Sequence, residues 1–242
     1  MKDPERIFAD IFASAVSYWS RDNLRIDPFL LDKTRDNRFG LSLIVRPAGE
    51  LREKFAGIQT ELRGILGNQY DYPGSDFHLT VLTLVSCVDG FRSAPQEEEK
   101  YIRCLSPVLS LERPFRLTFR GVCASADSVF FKLADGYSRL NALREGLRRV
   151  ISGQGLDSAM DKRYRLEAGH VTGTRFIRRS DRIPALLEFL KANAGREMGS
   201  MEVGSIELVN NDWFMSASKS RILKSFPLGV PEGGNGAAPF PS

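Results

Sequence analysis

One recurrence constrains this chain more than anything else in it. Twice, an apolar run of strand character carries a histidine followed two positions on by threonine: FHLTVLTLV at 77–85 and YRLEAGHVTGTRF at 164–176. The histidines, His78 and His170, are the only two in the sequence, and 170 − 78 places them 92 residues apart. Each run follows the same prelude. A strand at 38–46 (RFGLSLIVR) leads into a helix with Leu51, Phe55, Ile58, Leu62, Ile65 and Leu66 at helical spacing, stopped by Gly67. A strand at 128–134 (SVFFKLA) leads into a helix at 138–152 with Leu140, Leu143, Leu147, Val150 and Ile151 on one stripe. The 92-residue offset places 51–66 over 143–158, which overlaps the second helix. A duplicated strand–helix–strand unit follows, and with it an α+β protein of two similar lobes, each contributing one histidine strand.

The remaining segments fit around this repeat. Phe8, Ile11, Phe12, Ala15, Val16 and Trp19 predict an N-terminal amphipathic helix, with Asp3 as its cap and Pro4 at its first position. A connecting segment runs to residue 37. A helix is expected near 96–110, its first turn acidic. Strands at 115–124 and 128–134 form a hairpin, a helix covers 181–194, and one or two strands lie in 201–216. Four prolines and four glycines from 227 onward predict a disordered tail. The division is therefore 1–37 (helix and connection), 38–226 (one bilobal domain) and 227–242 (tail).

Several function classes drop out. No apolar run reaches the roughly 18 residues of a membrane span. The N-terminal apolar residues are interrupted by charges, unlike a secretory leader. Cys87, Cys104 and Cys123 are odd in number with no paired spacing, which fits a reducing, cytoplasmic setting. No His or Cys pair has ligand spacing, so no metal is expected. Glycine-rich phosphate loops and the GxSxG elbow are absent. A net charge of +4 permits a phosphate-bearing ligand without marking a nucleic-acid surface.

Side chains alternate along a strand, so His78 shares a face with Thr80, and His170 with Thr172. Threonine is scarce, seven in the chain, which makes the matched pairs informative. Such a quartet suits phosphodiester chemistry. Imidazole near neutral pH can act as base toward the attacking oxygen or as acid toward the departing one. Threonine hydroxyls can hold the non-bridging oxygens where charge builds. On the same face as His170, plain alternation puts Tyr164, Thr174 and Phe176 as candidates to line a cleft, and puts Arg175 on the opposite face.

Two HxT motifs in duplicated lobes resemble the two-histidine (2H) phosphoesterase superfamily, which includes 2′-5′ RNA ligase-like proteins and cyclic phosphodiesterases; the likeness spans roughly 38–216. The resemblance implies a bilobal fold with antiparallel sheets from each lobe lining a central cleft and helices outside. It implies metal-independent, cofactor-free hydrolysis of 2′,3′-cyclic or 2′-5′ linkages in nucleotides or RNA ends, with His78 and His170 as the acid–base pair and Thr80 and Thr172 on the phosphate. The family's frequent arginine five positions after the histidine matches Arg175, implying a phosphate contact. Gly173 departs from the pattern, which usually has a bulky apolar residue there. A reversible 2′-5′ RNA ligase and a non-catalytic nucleotide- or RNA-binding module are the alternatives. A monomer with no membrane partner is expected. Arg144, Arg148 and Arg149 read as a solvated helix face rather than an RNA contact.

Overall fold

The computed structural model describes residues 3–22, 24–162 and 165–229. The helices among them are α1 (Pro4–Asp22), α2 (Gly49–Leu66), α3 (Pro95–Leu111), α4 (Tyr137–Gly153) and α5 (Ile183–Ala192). The strands are β1 (Arg38–Val45), β2 (Tyr70–Asp71), β3 (Leu79–Asp89), β4 (Phe115–Ser125), β5 (Ser128–Asp135), β6 (His170–Arg175), β7 (Glu197–Val203), β8 (Ser205–Asp212) and β9 (Arg221–Pro227). Both amphipathic helices of the repeat form as their spacing predicts. Gly67 closes α2 with φ of 68°, a conformation open to glycine at little cost. The carboxylate of Asp3 accepts from the Glu5 amide at 3.1 Å, capping α1 as expected.

The strands make one antiparallel sheet in the order β7-β4-β5-β6-β3-β1-β8-β9, with β2 pairing β6 off this path. It is curled into a half-barrel with helices outside. The two lobes are therefore two four-strand halves joined edge to edge, and the joint is β6 against β3. Leu79 pairs with Val171 across it. Since 171 − 79 is again 92, the repeat's equivalent residues face each other, and an approximate two-fold axis passes through that pair. α2 and α4 are the equivalent crossovers of the two halves.

Alternation sorts the sheet into two faces. On the helix face Phe55 of α2 stacks on Phe131 at 4.1 Å and meets Phe77 and Phe119 edge-on. Each buried ring of this kind contributes roughly 1.5–3 kcal/mol. On the other face Phe130, the neighbouring residue along β5, lies 4.8 Å from the His170 ring. α1 packs on this histidine face: Phe8 is buried 5.8 Å from Phe130, and Lys132 pairs with Glu5 at 2.9 Å.

Four expectations need correction. The strand expected over 164–176 begins only at His170, because the preceding loop is held by side chains rather than a ladder. β9 has no counterpart among the expected strands; it is an edge strand with most side chains exposed, so it lacks a buried stripe to read. The tail does not begin at 227: Leu228 is buried and its amide bonds the Gly204 carbonyl, as the Gly229 amide bonds that of Glu112. Residues 230–242 lie outside the described residues. Finally, Arg144 and Arg148 are buried, not a solvated face.

Candidate active site

The antiparallel register decides where the motif residues meet. With Leu79 opposite Val171, one step along the ladder sets His78 across from Thr172 and Thr80 across from His170. Neighbours facing each other in this way lie about 4.5–5.5 Å apart at Cα. The four side chains form a square around the two-fold axis, and all four line one cavity of about 170 Å³ together with Arg175.

Arg175 reaches that cavity through a β-bulge. Val129 pairs with Thr174 and Phe130 with Thr172, so Gly173 is an extra residue in β6. One extra residue shifts the alternation. Arg175, five positions after His170, returns to the histidine face, and Thr174 and Phe176 turn away from it. That corrects both as cleft-lining candidates. The Thr174 hydroxyl donates to Asp71 at 2.7 Å, and Phe176 is buried edge-on to Trp19. Tyr164 lies outside the described residues. A Cβ on residue 173 would stand 2.7 Å from the Phe131 ring, which is why the position is glycine here.

The other half repeats the device. Leu43 pairs with Leu82 and Ile44 with Thr80, leaving Val81 as an extra residue in β3, three positions after His78 as Gly173 is after His170. Thr83 accordingly occupies the place of Arg175 and lines the same cavity. Each bulge frees a carbonyl, and each is met by a buried polar side chain from the other half. Gln59 of α2 donates to the Gly173 carbonyl at 2.7 Å. Arg144 of α4, fully buried, donates to the carbonyls of Val81 and Thr80 at 2.8 and 3.0 Å, and to that of Glu167 at 3.1 Å.

The imidazoles are held but available. His78 Nδ1 lies 2.8 Å from the Asp76 carbonyl, a contact that calls for a proton on Nδ1 and leaves Nε2 bare in the neutral ring. Asp76 is fixed in turn, its carboxylate accepting from the Ala217 amide at 3.2 Å. Burial pushes both histidines down to about 4, helped for His78 by Arg46 and Arg175 and for His170 by His78 and Arg175. Both are therefore neutral near pH 7. Arg175 is aimed by two partners: Nε donates to the Tyr72 hydroxyl at 3.0 Å and Nη1 to Asp127 at 2.8 Å. Burial alone would raise the Asp127 carboxyl, but Arg175 and the hydroxyls of Ser125 and Ser128 outweigh it and hold it below its usual range.

Trp213, which sequence reasoning did not single out, also lines the cavity. Its ring stacks on the Arg38 guanidinium at 4.2 Å, itself paired with Asp27 and Asp36 at 3.0 and 2.7 Å. No local pattern marks it, because its support comes from the connecting segment far away in sequence. Among the described residues no cluster of His, Cys, Asp or Glu has the arrangement of a metal site, and no helix is long and apolar enough to cross a membrane.

No family model matches the sequence, and no curated relative matches it. Solved structures do. TT0787 of Thermus thermophilus superposes with a TM-score of 0.61 at 21% identity, over 79% of this chain and 99% of that one. A structure described as a phosphoesterase gives 0.55 at 17%, over 79% and 98%. E. coli LigT complexed with 3′-AMP gives 0.55 at 16%, over 80% and 99%. At such identities the likeness speaks to architecture, and that architecture is the one expected from the paired HxT motifs: this chain has the fold of the two-histidine phosphoesterases.

Proposed function

We propose that the chain is a phosphodiesterase that hydrolyses 2′,3′-cyclic or 2′-5′ phosphodiesters of nucleotides or RNA ends by general acid–base catalysis between His78 and His170. The observation that carries this reading is the Leu79–Val171 pairing, which brings the two halves' histidines and threonines around one cavity. One neutral imidazole takes the proton of an attacking water. The other, protonated, gives its proton to the leaving ribose oxygen as the P–O bond breaks in line. Thr80, Thr172 and Arg175 hold the non-bridging oxygens. The charge of a bound phosphodiester favours an imidazolium beside it, so the acid takes up its proton from water as the substrate binds. LigT structures in complex with 3′-AMP and NADP+ support a nucleotide as the ligand class. The protein groups supply acid, base and anion contacts, so the reading asks for no metal; three cysteines with no disulfide fit a reducing compartment.

The test is turnover of nucleoside 2′,3′-cyclic phosphates and 2′-5′ dinucleotides after EDTA treatment, with product analysis. The proposal expects a bell-shaped pH profile and a fall of about 10²–10⁴ in kcat for His78→Ala and for His170→Ala. Full activity in either variant refutes the assignment. Calorimetric binding of a mononucleotide without any product would instead identify a non-catalytic module. Joining of 2′-5′ ends by the same residues would identify a ligase, since one site serves both directions.

A further inference from the structure

The cavity at the histidines opens sideways into a second groove of about 370 Å³, within the range of roughly 300–1,000 Å³ typical of small-molecule sites. The row His170, Thr172 and Arg175 borders both spaces. The two differ in chemistry. On the β3 side the lining is hydroxyl and amide, from Ser42, Thr83, Ser86 and Asn211. On the β5 side Ile7 and Ile11 of α1 and Phe130 add apolar surface beside the polar Ser125, Ser128 and Arg165, while Leu166 and Trp213 border both spaces. Ile7 and Ile11 are four positions apart, so they project from one face of α1. Both are half-buried, packed against Phe8, Phe130 and Ala168, whereas Phe8, Ala15 and Trp19 of the same helix are buried. The helix is anchored by those buried residues, by the Lys132–Glu5 pair and by a Trp19 indole hydrogen bond to the Ala126 carbonyl at 3.2 Å.

We infer that α1 is a substrate-selecting wall: Ile7 and Ile11, which line the groove together with Phe130 and Trp213, form the subsite for the planar, apolar base of the substrate, on the His170 side of the phosphorus. This deepens the proposed phosphodiesterase reading and rests on it. In a 2′,3′-cyclic phosphate both ester oxygens belong to one ribose, so the base extends beyond that sugar, and it gains by leaving water in this groove.

The test compares adenosine 2′,3′-cyclic phosphate with base-free glycerol 1,2-cyclic phosphate, using Ile11→Glu, Ile7→Glu and the conservative pair Ile7→Leu/Ile11→Leu in the full chain. Each glutamate is expected to lower the preference for the nucleoside substrate about tenfold or more, chiefly through KM, with the leucine pair retaining it. An unchanged preference, or equal losses on both substrates in a variant that keeps its melting temperature, overturns the inference. If the wild type turns over neither substrate, the phosphodiesterase reading fails by itself. Calorimetry with 3′-AMP and inorganic phosphate then decides: 3′-AMP weakening more than phosphate in the glutamate variants supports the wall, and equal effects or no 3′-AMP binding overturn it.

Discussion

His78 and His170 are half-buried at the cavity and loss of water pushes both down to about 4, a consequence that can be read in stability as well as in catalysis. A histidine whose folded value lies below its unfolded value of about 6.5 binds fewer protons when folded. The contribution to stability is thus full above about 6.5 and is lost as the pH falls toward 4. Urea titrations at pH 7.5 and 5 should show the wild type losing more stability over that interval than His78→Gln/His170→Gln. An equal loss would mean that the rings are solvated and not desolvated as the structure has them. The same residues explain why the quartet is legible: alternation and a matched pair of threonines are local facts. Whether Arg175 joins it is not local. Five positions from His170 is an odd step, and only the extra residue at 173 turns it inward.

Among the elements, the two histidine strands stand out for their bulges. Val81 and Gly173 sit at equivalent places, and both redirect the residue two positions on, Thr83 and Arg175, to the cavity. The odd spacing shared by Thr83 and Arg175 is the signal that could have revealed this. In β6 the bulge depends on glycine, because a Cβ would press on Phe131 where that ring stacks on Phe55. Gly173→Ala is expected to cost about 1–3 kcal/mol of stability through this overpacking. It should also weaken binding of inorganic phosphate as Arg175 is displaced; denaturation and calorimetry on the one variant check both. Loss of neither would show that the ring yields freely and the bulge survives.

For the molecule as a whole, the seam between halves carries few backbone bonds, and side chains complete it. Gln59 reaches from the first half to the Gly173 carbonyl, and Arg144 from the second to those of Thr80 and Val81. Arg144→Leu leaves several buried carbonyls without a donor, a loss of roughly 3 kcal/mol or more. Amide exchange should accelerate most along β3 and β6; uniform acceleration over the sheet would place the role of Arg144 elsewhere. Helical spacing makes Arg144 and Arg148 look like surface charge, since periodicity locates a residue on a helix but says nothing of which polar positions meet a neighbouring strand.

Periodicity, caps and the two HxT motifs, each carried by residues within a few positions of each other, determined the helices and the identity of the quartet, and the recurrence of that pattern 92 residues on marked the duplicated halves. Tertiary structure alone decided that the halves join at Leu79 and Val171, that the bulges bring in Arg175 and Thr83, and that α1 and Trp213 wall the cleft. Those outcomes depend on contacts between segments tens to hundreds of residues apart, where strand register and packing, rather than local propensity, set which side chains meet.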